Sequence, residues 1–439
     1  MKLASLISLG CAKNLIDSEI MVKQLVEMGY LMTESLAEAE LILVNTCGFL
    51  ESAVQEAINT ILETARYKKE SGCAALVVAG CMVQRYGKKL LDQLPEVDLF
   101  VGTSHYHQLQ TILESNLSGN PRRLWIGRPL HRDGKPARLR STGPHTAYLK
   151  IAEGCDNSCS FCIIPHLRGP LRSRKPDDIL TEAAELAADG VKEINLIAQD
   201  TTAYGKDLGD ARALPRLLTL LDRVPGLSWI RLLYAYPDRI SDELLDVLSH
   251  STKIVPYLDI PIQHCVPGIL EKMGRRAENP ERVIEKIRTA VPGIALRTSV
   301  MVGFPGETRR DFNALVSFMK RIQFDHAGVF AFSPEAGTRA ARFDSRPGKR
   351  AAQRRRTELL EIQREISGQK LAERVGEIVT VLIEGPHPET DLLLSGRLAT
   401  QAPEVDGSVI ITAGDCEAGE IRDVRITASH DYDLEGFIC

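Results

Sequence analysis

The chain has 439 residues, more than one ordinary core holds, so two or three domains are expected. A hydrophobic share of 44% with 26% charged residues is that of a soluble globular protein, and a net charge of −4 names no partner. No apolar run approaches the roughly 20 residues that span a bilayer, so a cytoplasmic protein is expected.

The first residues, MKLASLISLGCAKN, resemble a lipoprotein signal ending at Cys11 only superficially. The apolar stretch runs just from Leu3 to Leu9, and Leu9 and Gly10 suit a cleavage position poorly, so a buried strand entering a turn explains it better. Residues 1–116 then alternate strand candidates (Leu3–Leu9, Leu41–Asn45, Leu76–Ala79, Leu99–Val101) with amphipathic stretches. Ile16, Ile20, Met21, Gln24, Leu25 and Met28 mark one helical face. Such alternation predicts a flavodoxin-like α/β domain with a parallel sheet covered on both faces.

Residues 117–141 are rich in Pro, Gly and Arg without a sustained period and read as a linker. Composition favours a solvated connector over a nucleic-acid contact. From 142 to 370 strands and helices alternate again, with candidate strands Tyr148–Ile151, Glu193–Ala198, Trp229–Leu233, Tyr257–Ile260, Ala295–Val302 and Ala327–Phe332. Six such units are too few for a closed eight-unit barrel and predict a partial (β/α)6 TIM-type barrel with its chemistry after the carboxyl ends of the strands. After a basic helical segment, residues 371–439 show short β-type runs (Ile378–Ile383, Leu392–Leu398, Ser408–Thr412), the pattern of a small β-barrel.

Ten cysteines in a chain with no mark of secretion point to metal binding or catalysis rather than disulfides. The segment GCDNSCSFC places Cys155, Cys159 and Cys162 in a C-x3-C-x2-C spacing directly after the first barrel strand. Three thiolates on one loop can hold a 4Fe–4S cluster and leave one iron open, whereas electron-carrying clusters take four cysteines. An open iron can bind S-adenosylmethionine and split it reductively into a 5′-deoxyadenosyl radical. A zinc site is the competing reading, but structural zinc takes four ligands, and His166 is the only nearby candidate for a fourth.

Cys11, Cys47 and Cys81 each follow an apolar run, in LISLGCAKN, LILVNTCGF and LVVAGCMVQ. Turns at one edge of a parallel sheet bring distant thiols together, and Gly10, Gly48 and Gly80 beside them allow close approach. Any one of these cysteines alone reads as packing; three at equivalent positions balance that reading against a second cluster. Cys73, Cys265, Cys416 and Cys439 have no partner at ligand spacing.

Taken together, these motifs resemble the methylthiotransferases of the radical S-adenosylmethionine superfamily over essentially the whole chain, the C-terminal barrel being of the TRAM type. The resemblance implies that Cys11, Cys47 and Cys81 bind an auxiliary 4Fe–4S cluster involved in sulfur delivery, and that Cys155, Cys159 and Cys162 bind the second one. It also implies cofactor contacts for Phe161 (near the adenine, or else core), Gln199 (near the methionyl end, or else a loop cap), and Gly303 and Gly306 in SVMVGFPGET.

The segments NLIAQDTTAYG and VPYLDIPIQHCVPGILEKMGR, with the closing DYDLEG, resemble the RimO branch, which modifies an aspartate of small-subunit ribosomal protein twelve. The terminal FIC departs from that pattern. The alternative branch modifies an adenosine of tRNA. In the implied reaction one S-adenosylmethionine supplies a methyl group and a second the radical that takes an aspartyl β-hydrogen. No side-chain base is required, so no catalytic side chain is named. A reductant such as flavodoxin or ferredoxin, a monomeric state and no membrane contact complete the expectation.

Charge distribution points the same way independently. Between Leu371 and Cys439 fourteen acidic residues outnumber four arginines (Arg374, Arg397, Arg422 and Arg425), giving −10 there and +6 over the remainder. An acidic barrel repels RNA and attracts a basic protein, although acidic tails also aid solubility.

Overall fold

A computed structural model describes residues 2–117, 122–129, 134–275 and 279–439; two parts of the expected linker, 118–121 and 130–133, lie outside them. The chain opens with strands β1 (Lys2–Ser8), β2 (Tyr30–Met32), β3 (Leu41–Thr46), β4 (Ala75–Gly80), β5 (Leu99–Gly102) and β6 (Leu124–Trp125). They form one parallel sheet in the order β2-β1-β3-β4-β5-β6. β3 is buried along its whole length, and alternate residues feed two separate cores. Ile42 and Val44 join one face with Phe100, and Leu41 and Leu43 join the other with Met21 and Leu25 of the helix Ala12–Glu27.

The linker reading needs correction. Leu124 and Trp125 pair with Phe100 and Val101 and extend the sheet. Further on, Arg138 is buried, bonded to Glu19, to Glu182 at 2.9 Å and to the Tyr148 carbonyl at 2.7 Å. This stretch joins two domains through a buried cation, and that contact leaves no periodic trace in sequence.

The central domain contains β7 (Thr146–Lys150), the short ladder β8 (Ala152–Glu153) with β9 (Arg172–Ser173), and β10 (Glu193–Ile197). It continues with β11 (Trp229–Leu232), β12 (Ile254–Asp259), β13 (Ala295–Val302) and β14 (His326–Ala331). The sheet order is β14-β13-β12-β11-β10-β7, all parallel, so the strands follow one another round an open, partial barrel as expected. Ala147, Leu149, Ile194 and Leu196 face the surrounding helices, whereas Tyr148, Ile197, Trp229 and Tyr257 face inward.

The helix Lys349–Ala372 leads to β15 (Ile378–His387), β16 (Thr390–Leu398), β17 (Val409–Ala413), β18 (Ile421–Ser429) and β19 (Leu434–Ile438), which close into a five-stranded barrel. This barrel stops the amino-terminal mouth of the partial barrel. Glu193, fully buried at the start of β10, lies 2.8 Å from Arg231 and 2.5 Å from Arg397 of the small barrel. Asp406 accepts from the Tyr257 hydroxyl at 2.8 Å and pairs with Arg297. Burial alone would raise the Glu193 carboxyl, but Arg397 and Arg231 hold it at about 2.

Replacing Glu193 with alanine takes the carboxylate from buried Arg231 and leaves Arg397 only that of Glu384, and is expected to cost about 3–5 kcal/mol in urea unfolding. The carboxyl is depressed on folding, so its contribution is complete above the unfolded value of about 4.3. It is lost as pH falls toward about 2, and acid titration of the wild type against Glu193→Gln should show that difference.

Candidate functional site

The three N-terminal cysteines sit on neighbouring strands at the carboxyl edge of the first sheet. Cys11 follows β1 and caps the helix Ala12–Glu27, Cys47 follows β3, and Cys81 opens the helix Cys81–Tyr86 after β4. β1 and β3 flank the point where strand order reverses, the usual position for a ligand in an open α/β sheet. Gly10 has φ +101°, and a side chain there would begin 2.9 Å from Cys47 Cβ. A Cβ on Gly48 would lie 2.6 Å from the Cys81 carbonyl carbon, so both positions demand glycine for the thiols to approach.

Arg168 Nη2 donates to Cys81 Sγ at 3.3 Å. Burial pushes the Cys81 thiol up to about 12 despite that cation. Cys11 behaves oppositely. Crowding raises it, but Lys13, Arg168 and the N–H groups of Asn14 and Lys13 bring it below the ordinary thiol value.

The second triad lies on the loop after β7, whose ends are drawn together by the β8–β9 ladder. A Cβ at Gly154 would collide with the Pro170 carbonyl oxygen, so the chain can enter the loop here only as glycine. Cys155 Sγ accepts from Asn157 N and Cys162 Sγ from Ile164 N, each at 3.4 Å. The loop is braced from the next strands: Asn157 donates to Asp200 at 2.7 Å, and Arg239 holds both Asp200 and the Asn157 carbonyl. Burial raises all three thiols, Cys162 to about 12, while Arg239 and Arg275 act against it.

The two triads are linked through one packing contact. Ile163, next to Cys162, packs in one apolar cluster with Leu167, Phe49 and Cys81. Beside this cluster runs a buried ionic chain. Arg168 pairs with Asp17, Lys150 Nζ lies 2.6 Å from Asp17 and 2.8 Å from Glu153, and Arg168 also donates to Asn14 at 3.2 Å. Burial opposes ionisation of Glu153, yet Lys150 and Arg168 hold its carboxyl well below the usual range. A second latch joins Arg85 to Glu335 at 2.9 Å, and Glu335 accepts from Glu51 N at 3.0 Å.

Sequence reasoning missed this ionic chain. The available signal was a charged residue inside an apolar strand, Lys150 in AYLKIAEG, and Asp17 one position after Ile16 and three before Ile20 of the apolar helix face.

The expected cofactor contacts fall at the carboxyl ends of the barrel strands. Phe161 packs edge-on against Phe304 with centroids 6.5 Å apart. Gln199 donates to Glu153 at 2.6 Å, and its buried carbonyl oxygen has no partner among the described residues. Asn195, wholly buried on the inward face of β10, has neither amide atom paired among the described residues. Gly303 gives its N–H to Glu307, which also binds Phe304 N at 3.1 Å, and Gly306 abuts Lys272. A cavity of about 340 Å³ touches Ile16, Tyr106, Lys150 and Glu153, and none of the six cysteines lines it.

Among the described residues no three Cys, His, Asp or Glu side chains gather round one point as a single ion needs. The thiols of each triad are close enough to perturb one another without meeting. Three sulfurs, flanking cations and unpaired buried amides make a donor set that fits an incompletely ligated iron–sulfur cluster with a polar small molecule beside it.

Comparison with known proteins gives the family context of the chain. Residues 4–102 match the uncharacterized protein family UPF0004, 149–319 the radical SAM superfamily and 375–438 the TRAM domain. A ribosomal protein uS12 methylthiotransferase RimO of Syntrophobacter fumaroxidans is 59% identical over 99% of this chain and 98% of its own. That of Geobacter sulfurreducens is 46% identical over 99% and 98%. Among solved structures, the radical S-adenosylmethionine methyltransferase TsrM of Kitasatospora setae, with cobalamin and a [4Fe-4S] cluster bound, superposes with a TM-score of 0.57. It is 17% identical and aligns over 75% of each chain, a likeness of fold alone.

The ionic chain yields a stability test. Arg168→Met leaves Asp17 and Glu153 buried short of one counter-charge, and about 3–5 kcal/mol should be lost in chemical denaturation, with Arg168→Lys recovering part.

Proposed function

The chain belongs to the ribosomal protein uS12 methylthiotransferase RimO family, and on that premise we propose that it replaces a β-hydrogen of an aspartate in uS12 with a methylthio group. The observation that carries this reading is the packing of Cys81, from the set Cys11, Cys47 and Cys81, against Ile163 and Leu167, which adjoin the set Cys155, Cys159 and Cys162. Membership of the radical SAM superfamily implies one 4Fe–4S cluster and S-adenosylmethionine; the second cluster, on the N-terminal set, is part of the proposal.

When bound, these groups supply a one-electron cleavage and a hydrogen-abstracting radical. The protein's own residues position and enclose. Asn157, Asp200 and Arg239 fix the motif loop, and Ile163 and Leu167 keep water from the contact between the two sets. Arg168 and Lys150 hold the N-terminal domain at a set distance by neutralising Asp17 and Glu153. Gln199 and Asn195 offer unpaired amide atoms to a polar ligand on β10. The acidic small barrel supports a basic protein partner over RNA, because phosphate binding needs cationic surface.

Anaerobic reconstitution tests the cofactor content. The intact chain should carry about eight irons, and a variant with Cys11, Cys47 and Cys81 all changed to alanine about half of them. Incubation with uS12 or tRNA, followed by mass spectrometry, tests the substrate: the methylthio increment is expected on the protein. Its appearance on tRNA alone would overturn the assignment.

A further inference from the structure

Lys13 is the second residue of the helix Ala12–Glu27 and stands two positions after Cys11. It is only 9% exposed, yet among the described residues no oxygen accepts from its ammonium and no carboxylate lies within ion-pair distance. What it meets is a ring: Nζ lies 3.1 Å from the centroid of Tyr234. Tyr234 follows β11 at the carboxyl end of the partial barrel, with φ +60°. Its N–H donates at 3.2 Å to Asp259, the last residue of β12.

Asp259 is near enough to feel the charge of Lys13 without pairing with it. Buried lysines are nearly always matched by an anion, because an ammonium loses its hydration on burial. An aromatic face replaces only part of that hydration. An anion bound at this point would complete the match.

We propose that Lys13 is the residue that recognises the target carboxylate: its ammonium binds the side-chain carboxylate of the substrate aspartate against the Tyr234 ring. The proposal rests on the aspartate methylthiotransferase reading and deepens it. The carboxylate is one bond from the β-carbon, so gripping it fixes the carbon that reacts. Lys13 stands on the Cys11 side of the domain boundary, and Tyr234 on the barrel side that holds the second triad. A carboxylate held there sits at the boundary between the domains that carry the two cysteine sets. An amide offers no charge to this ammonium, so the same contact discriminates aspartate from asparagine.

The test uses the full chain, reconstituted anaerobically, with recombinant uS12 and a counterpart carrying asparagine at the target position. The wild type is expected to bind the aspartate form about ten-fold or more tightly, the weight of one charge-assisted contact. Lys13→Met should bring the two affinities together, with KM for the aspartate form rising, and Lys13→Arg should restore the preference. An unchanged preference in Lys13→Met overturns the proposal. So does a loss of both forms that Lys13→Arg does not mend. Altered iron content or cluster spectra with the preference intact would make Lys13 a partner of Cys11 instead, and the proposal would fall. Failure of the wild type to modify uS12 at all is a different result, which removes the functional reading itself.

Discussion

Two domains that carry different sulfur sets must be held at a fixed separation, and buried opposite charge does this here. Asp17 comes from the first domain, Lys150, Glu153 and Arg168 from the second, and none is left without a counter-charge. A purely apolar interface tolerates sliding, since hydrophobic contact is non-directional. A bifurcated set of charged hydrogen bonds does not, because a shift of about 1 Å leaves a buried charge short of its partner. Arg168 adds a further constraint by reaching Cys81 with the same guanidinium. One guanidinium therefore contributes both to the register of the two domains and to the environment of one thiol.

The same device recurs at the other end of the central domain. Glu193 is shared between Arg231 of the partial barrel and Arg397 of the small barrel, while Asp406 reaches back to Tyr257 and Arg297. Both interfaces use inward-facing positions of the parallel strands. Those positions would otherwise form the solvent-filled centre of an unclosed barrel. Charged residues therefore occupy what the strand pattern alone marks as core.

Elements with strong apolar runs were legible in sequence to within a residue or two. β3, β10 and β13 are examples, because complete or alternating burial dictates their composition. The motif loop and the convergence of Cys11, Cys47 and Cys81 were also legible, since turns after parallel strands share an edge. β2, β6, β18 and β19 were not. β2 and β6 have three and two residues, too few to show a period, and β18 carries charges along its exposed face. The ionic chain and Lys13 were hidden for another reason. Their partners lie far away in sequence, and an isolated charge reads as surface until its surroundings are known.

The small barrel's position has a consequence for what can reach the reactive groups. The small barrel stoppers the floor of the central horseshoe, and the first domain packs against its upper rim. A residue lying flat on a folded surface could not descend into such a well. A protein target would reach such a well most readily at the tip of a projecting hairpin or loop slender enough to dip between the two lobes.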